Sequence, residues 1–172
     1  MISEKLTKAL SDQVNAEYYS AYLYLSMSAA ADRAGLKGTA NWLLVQAREE
    51  MAHGTHMFEY VLARGTVPAF APIEQPPASF DNANDIFNNV LSHEQKVSQK
   101  INALTTLAMQ ESDHATYQFM MWYVNEQVEE ESNATDVLSK LRLIGSDKGL
   151  LLTLDKELSA RVFVNPFLQS AN

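Results

Sequence analysis

The sequence predicts an all-α protein: an up-down-down-up four-helix bundle with one long crossover and a short C-terminal fifth helix. Four long segments carry apolar residues at alternating spacings of three and four, the pattern of a helix with one buried face. Short breaks with glycine or serine separate the first helix from the second and the third from the fourth, whereas a proline-rich stretch separates the second from the third. Short breaks make neighbouring helices antiparallel, and the long crossover lets the second and third run parallel.

The first two helices are predicted on either side of a glycine break. No proline or glycine occurs from Ser3 to Ala34, so we expect one uninterrupted helix there. The break over 34–38 contains two glycines. After it, Thr39 is the predicted N-cap of a second helix that ends near Arg64.

The crossover is predicted over residues 66–81, which hold four of the five prolines and therefore no helix. Extended chain of this length covers about 50 Å, more than the roughly 40 Å of a helix of some 26 residues. The third helix is predicted over Ala83–Gln110, the fourth from an N-cap at Asp113 to about Leu143, and the fifth over Leu150–Leu158.

Length and composition narrow the function. The 172 residues are 47% apolar, enough for one buried core, so we expect a single domain over 1–172: the bundle over 3–144, a short helix over about 148–160 and a tail over 161–172. The net charge of -8 argues against a nucleic-acid partner. No apolar run approaches membrane-spanning length and no secretion signal is visible, so no membrane partner and a cytoplasmic location are expected.

Polar residues interrupt the buried face of each long helix near its middle. Glu17 and Glu94 lie 77 residues apart, and the same offset relates Glu50 to Gln127 and His53 to Glu130. In a four-helix bundle these side chains converge at one level. Because buried carboxylates without a partner are costly, the pattern predicts a cation between them. The chain has no cysteine, so the ligands must be oxygen and imidazole, which suits iron, manganese or, less well, zinc.

These residues and their spacing resemble the bacterial non-haem ferritins, a family of di-iron carboxylate proteins. The residues that carry the resemblance are Glu17, Tyr24, the run Glu49-Glu50-Met51-Ala52-His53, Glu94, and the run Glu126-Gln127-Val128-Glu129-Glu130. The resemblance implies that Glu17, Glu50 and His53 hold one iron. It implies a second iron on Glu50, Glu94 and Glu130, with Glu50 bridging and Gln127 in weak contact.

The resemblance also implies a function. The protein is expected to oxidise Fe(II) with O2 as a ferroxidase and to store the ferric oxo-hydroxide inside a cage of 24 identical subunits. It implies a third iron site on Glu49, Glu126 and Glu129, with Glu130 shared. Tyr24 lies one heptad from Glu17 and is expected to act in the reaction, although it could instead be a core tyrosine satisfied by one hydrogen bond.

Three rival functions differ in particular residues. A bacterioferritin would bind haem through a methionine at the position of Met51, but a methionine at helical spacing more often packs, and no haem is expected. A rubrerythrin-like peroxide reductase would need four cysteines, which the chain lacks. A cage that stores iron without oxidising it would not need the full set of ligands.

Several residues off the buried faces are expected at the surface of the bundle. His56, His93 and His114 are expected at the surface or at an interface and not on metal. Tyr18, Tyr22 and Leu23 exceed what one bundle can bury and are expected to contact other subunits.

Overall fold

The computed structural model describes residues 2–168, and this part of the chain forms five helices and no strand. The predicted tail therefore continues past the described residues, at 169–172. The helices are α1 (Glu4–Arg33), α2 (Lys37–Ala63), α3 (Ala83–Gln110), α4 (His114–Ile144) and α5 (Lys148–Leu158). The all-α prediction is confirmed, and each helix agrees with its predicted range to within two or three residues. No helix in residues 2–168 has the length and apolar character needed to cross a bilayer.

Contacts between the helices give their directions. Near the α1–α2 turn, Ser28 Oγ donates to the carbonyl of Ala40 at 2.8 Å, and further from it Gly54 packs against Tyr18. These two helices are therefore antiparallel. The pairs Tyr60–Thr116, at 3.0 Å between hydroxyl oxygens, and His53–Tyr123 run in opposite senses along α2 and α4.

Helix α3 runs opposite to α1. Ser20 Oγ contacts His93 Nε2 at 2.7 Å, whereas Gln13, earlier on α1, shares a groove with Lys100 and Leu104, later on α3. With α1 up, α2 and α3 run down and α4 runs up. The predicted up-down-down-up topology is confirmed.

The core consists of two apolar clusters with a polar layer between them. One lies toward the α1–α2 turn and includes Met27, Leu43 and Phe87. The other lies at the opposite end and includes Leu10 and Met120. The polar layer therefore lies at mid-height, where the interruptions of the helical pattern were predicted to meet.

The start of α2 differs from the prediction. Helix α2 begins at Lys37, and Thr39 is not its N-cap. Instead Asp155 of α5 accepts hydrogen bonds from the backbone N–H groups of Gly38 and Thr39 at 2.9 and 2.7 Å and from the Thr39 hydroxyl at 2.8 Å. A carboxylate from another helix thus accepts from the free N–H groups at the start of α2. Its negative charge also interacts favourably with the positive end of the α2 dipole. The N-cap prediction at Asp113 is confirmed, since its side chain accepts from Thr116 N.

Helix α5 approaches α2 so closely that a side chain at Gly38 has no room. A Cβ built on Gly38 would lie 1.6 Å from the backbone carbonyl oxygen of Asp155. Glycine therefore permits the approach that brings the Asp155 carboxylate onto the helix terminus.

Asp155→Ala is expected to lower the free energy of unfolding of the metal-free protein by about 1–3 kcal/mol, because buried N–H groups of α2 lose their acceptor. Urea unfolding at one fixed protein concentration measures the change. Asp136→Ala, on an exposed position of α4, is the matched control and should stay near wild type. Equal stability of the two variants would show that Asp155 does not hold α2.

Candidate metal centre

Six polar side chains predicted for the site lie buried together at the middle of the bundle. Each is less than 8% exposed, and every long helix contributes at least one of them. They are Glu17 on α1, Glu50 and His53 on α2, Glu94 on α3, and Gln127 and Glu130 on α4. Each of them occupies an inward position near the middle of its helix. The six side chains therefore meet at one level of the bundle.

Three of these residues form a compact set of possible ligands. One ligand atom from each of Glu17, Glu50 and His53 lies within 4.8 Å of the others. His53 Nδ1 is 3.6 Å from Glu50 Oε2. Gln13 donates its amide N–H to Glu17 Oε1 at 2.8 Å, and Gln46 donates to Glu50 Oε1 at 3.3 Å. These amides fix the carboxylates so that their remaining oxygen atoms are free to bind a cation.

Glu94 is held from the other side of the site. The Tyr24 hydroxyl donates to Glu94 Oε1, and the amide of Gln127 donates to Glu94 Oε2 at 3.1 Å and to the Glu94 carbonyl at 3.2 Å. The Tyr24 phenol thus has a buried partner that belongs to the predicted site. Within residues 2–168 no second group of three ligands is as compact as the first.

Crowded burial raises the pKa of several of these carboxyl groups. Burial, with the neighbouring charge of Glu50 next in size, raises the pKa of Glu17 to about 8. Burial, together with Glu130, likewise raises the pKa of Glu94 to about 8. The pKa of Glu50 is also well above its usual range, through burial and the charges of Glu94 and Glu130. Without a cation the layer therefore retains protons near neutral pH.

The imidazole of His53 tests whether this donor set fits a metal. Among the described residues, its Nε2 is the one buried side-chain polar atom with no hydrogen-bond partner. The ring is otherwise enclosed by aromatic groups, with Trp122 at 5.3 Å between ring centroids. Tyr123 donates its hydroxyl to the His53 backbone carbonyl at 2.9 Å. An oriented imidazole beside two buried carboxylates fits a divalent cation, since it completes an oxygen-and-nitrogen ligand set.

The predicted third set of carboxylates lies beside the first, closer to the surface. Glu126 Oε1 is 3.9 Å from His53 Nε2, and Glu129 is exposed. Glu49 is bound by Arg161, whose Nη2 lies 2.5 Å from Glu49 Oε2. Burial raises the pKa of Glu49 to about 7, and Arg161 opposes that shift. Burial also raises the pKa of Glu126.

Sequence reasoning did not find Arg161. It lies just after α5, outside any periodic pattern, and its contact with Glu49 spans 112 residues. Gln13 and Gln46 lie on the buried faces of α1 and α2, but nothing in their spacing indicates that they orient carboxylates.

The other histidines and the aromatic residues of α1 correct parts of the prediction. His114 is exposed, as expected, but His93 and His56 are partly buried within the chain. His93 pairs with Ser20, and burial lowers its pKa to about 4. Tyr22 is exposed, whereas Leu23 is buried in the core, because the two apolar clusters extend further around α1 than the strict helical stripe.

Comparisons with known proteins identify the family of this chain. The model of the ferritin-like domain family matches residues 7–144. A probable bacterial non-heme ferritin-like protein of Haemophilus influenzae is 40% identical over 159 residues, covering 92% of this chain and 96% of the relative. A bacterial non-heme ferritin of Staphylococcus aureus is 38% identical over 163 residues, covering 95% and 98% of the two chains.

Solved structures give the same result. The open-pore ferritin of the hyperthermophilic archaeon Archaeoglobus fulgidus superposes with a TM-score of 0.93 at 52% identity, covering 94% of this chain and all of that one. A closed form engineered from the same ferritin gives a TM-score of 0.94 at 51% identity, covering 95% of this chain and all of its own. On its sequence, its bundle and its relatives, the chain belongs to the ferritin-like family.

Proposed function

We propose that this protein is an iron-storage ferroxidase that binds two Fe(II) ions as substrates within one subunit and oxidises them with O2. The observation that carries the proposal is the buried triangle of Glu17, Glu50 and His53, with an imidazole nitrogen that no protein group satisfies. Burial of this kind is costly without a cation and is common at functional sites.

In the proposed site, Glu17, Glu50 and His53 hold one iron, and Glu50, Glu94 and Glu130 hold the other. Glu50 is the bridging residue, in keeping with its position between the Glu17 and Glu94 sides of the layer: its charge raises the pKa of Glu17, and those of Glu94 and Glu130 raise its own. Gln127 donates to Glu94 and is assigned to positioning that carboxylate in addition to a weak metal contact.

The donor set suits the proposed reaction. Hard carboxylate ligands stabilise Fe(III) relative to Fe(II) and so favour electron loss to O2. Each ion gives one electron, so two adjacent ions and two protons convert one O2 to hydrogen peroxide. The Fe(III) then hydrolyses to an oxo-hydroxide mineral and releases protons. Tyr24 is assigned a role in this reaction because its phenol donates directly to Glu94.

A third iron is proposed on Glu49, Glu126, Glu129 and the shared Glu130. For storage, the subunits are proposed to assemble as a cage of 24 copies. Exposed apolar side chains on α1 and the crossover, among them Tyr22 and Phe70, support an oligomer because they form surface that a single subunit leaves uncovered. The Archaeoglobus fulgidus relatives are described as open-pore and closed-form ferritins.

His53→Ala and Glu130→Ala are each expected to slow the initial aerobic oxidation of Fe(II) at least about tenfold, because each removes a ligand of one iron. Oxygen uptake after addition of ferrous iron measures the rate. Glu59→Gln, an exposed position on α2, is the matched control and should oxidise iron at the wild-type rate.

Tyr24→Phe belongs to the same series. It keeps the ring and removes the hydroxyl, so the same number of ions should bind while oxidation slows.

Wild-type initial rates in both the His53 and the Glu130 variants would refute the assignment of the site.

Binding of a redox-inert ion such as Zn²⁺ to the metal-free protein is expected to release protons at pH 7 and fewer at pH 9. The pKa values of Glu17 and Glu94, both raised to about 8, mean that these groups hold protons at pH 7 and have lost most of them at pH 9. Calorimetry in buffers of different ionisation enthalpy gives the number of protons released. Glu17→Gln, which has no such proton, should release fewer at pH 7. Proton release that is equal at the two pH values would contradict the raised pKa values.

A haem-containing bacterioferritin is the competing function. Met51 is about half exposed and lines an open groove beside Trp122 and the C-terminal tail. The purified protein is expected to show no Soret absorption. A Soret band lost in Met51→Leu would favour the haem function instead.

A further inference from the structure

Arg161 is paired with Glu49, one of the ligands proposed for the third iron. Its Nη2 contacts Glu49 Oε2 at 2.5 Å, its Nη1 donates to Gln46 Oε1 at 2.6 Å, and its guanidinium lies over the Trp42 ring, 4.4 Å from the centroid. The side chains of Arg161 and Glu49 are only 20% and 18% exposed. The guanidinium is therefore a fixed and largely buried counter-ion of one proposed ligand.

The backbone around Arg161 is fixed as well. Asn41 donates its side-chain N–H to the carbonyl of Arg161 at 2.9 Å and to that of Ser159 at 3.3 Å. Helix α2 thus contacts Arg161 twice. Asn41 binds its main-chain carbonyl, and Glu49 binds its guanidinium. Both the backbone and the side chain of Arg161 are therefore held in place beside Glu49.

Further along, the described part of the tail is anchored on the same helix and on α4. Phe167 stacks on His56 with 3.8 Å between ring centroids and packs against Trp122 at 4.6 Å. The tail over 161–168 therefore runs along α2 from Asn41 to His56 and passes Glu49 on the way. Its two anchors hold Arg161 against the proposed third site.

The guanidinium and a metal ion at Glu49 would compete for the charge of one carboxylate. Arginine remains charged at all relevant pH values, so it cannot be neutralised to admit the ion. A divalent cation within several Å of it, in a partly buried environment, would be strongly repelled. A metal ion at Glu49 is therefore disfavoured while the guanidinium remains in contact with that carboxylate.

We propose that Arg161 is an internal counter-ion that competes with iron for the third site, so that iron binds Glu49 only when the guanidinium moves away. The inference rests on the proposed function, since that assigns iron to Glu49, Glu126 and Glu129. It adds a consequence: the third site is weaker than the paired sites, and the tail sets its affinity.

The inference is tested by metal binding, with Zn²⁺ as the probe and the full chain in its natural assembly. Equilibrium dialysis counts ions per subunit, and anomalous scattering from zinc-soaked crystals locates them. Arg161→Gln is expected to bind a third zinc beside Glu49 at least about tenfold more tightly than wild type.

Two variants separate charge from other effects. Lys156→Gln removes one positive charge from an exposed position in α5 and should bind the third zinc as wild type does. Arg161→Lys keeps the charge and should keep the third site weak. Third-site affinity in Arg161→Lys equal to that in Arg161→Gln would overturn competition by charge.

The wild-type crystal gives an independent test. A zinc ion bound to Glu49 with Arg161 still in contact with that carboxylate would overturn the inference, as would equal third-site affinity in wild type and Arg161→Gln. Failure of the proposed function has a different signature: zinc would then be absent from Glu17, Glu50 and His53 in every variant.

Discussion

The structure depends on the burial of several carboxyl groups at the middle of an apolar bundle. Glu17, Glu50, Glu94 and Glu130 are all nearly inaccessible, and apolar clusters lie above and below them. Such groups are unfavourable in their charged form unless a cation or hydrogen-bond donors compensate. The chain supplies a few neutral donors, from Gln13, Gln46, Gln127 and Tyr24, and no buried cationic side chain among the described residues of this layer. The electrostatics of the site thus favour an ion from solution.

This arrangement explains why the donors are amides and a phenol. An arginine or lysine in the layer would neutralise the carboxylates permanently and compete with metal. An amide orients a carboxylate and leaves its charge available. At the edge of the layer, where Glu49 meets solvent, the chain uses an arginine, and the resulting pair has the opposite character: it is satisfied without metal. The two kinds of partner divide the acidic residues into a central set and a peripheral one.

The fold and the grouping of the central side chains could be predicted because both rest on local periodicity. The spacing of apolar residues shows which positions of the four helices face inward. Polar residues interrupt those positions near the middle of each helix: Glu17, Glu50, His53, Glu94 and Glu130. Contacts between distant segments have no such signal. The Asp155 cap on α2 and the Arg161 pair with Glu49 join residues more than one hundred positions apart. Thr39 is the predicted cap because threonine is favoured locally at that position. In the structure the Asp155 carboxylate of α5 instead accepts from the N–H groups at the start of α2.

Helix α2 does more than carry two of the proposed metal ligands. Its first turn is held by Asp155 of α5, its middle carries Glu50 and His53, and its outer face receives the tail through Asn41 and His56. A displacement of α5 would therefore act on the same helix that carries two proposed metal ligands. A neighbouring molecule that packs against α5 would therefore act on the proposed metal centre through α2, without touching it.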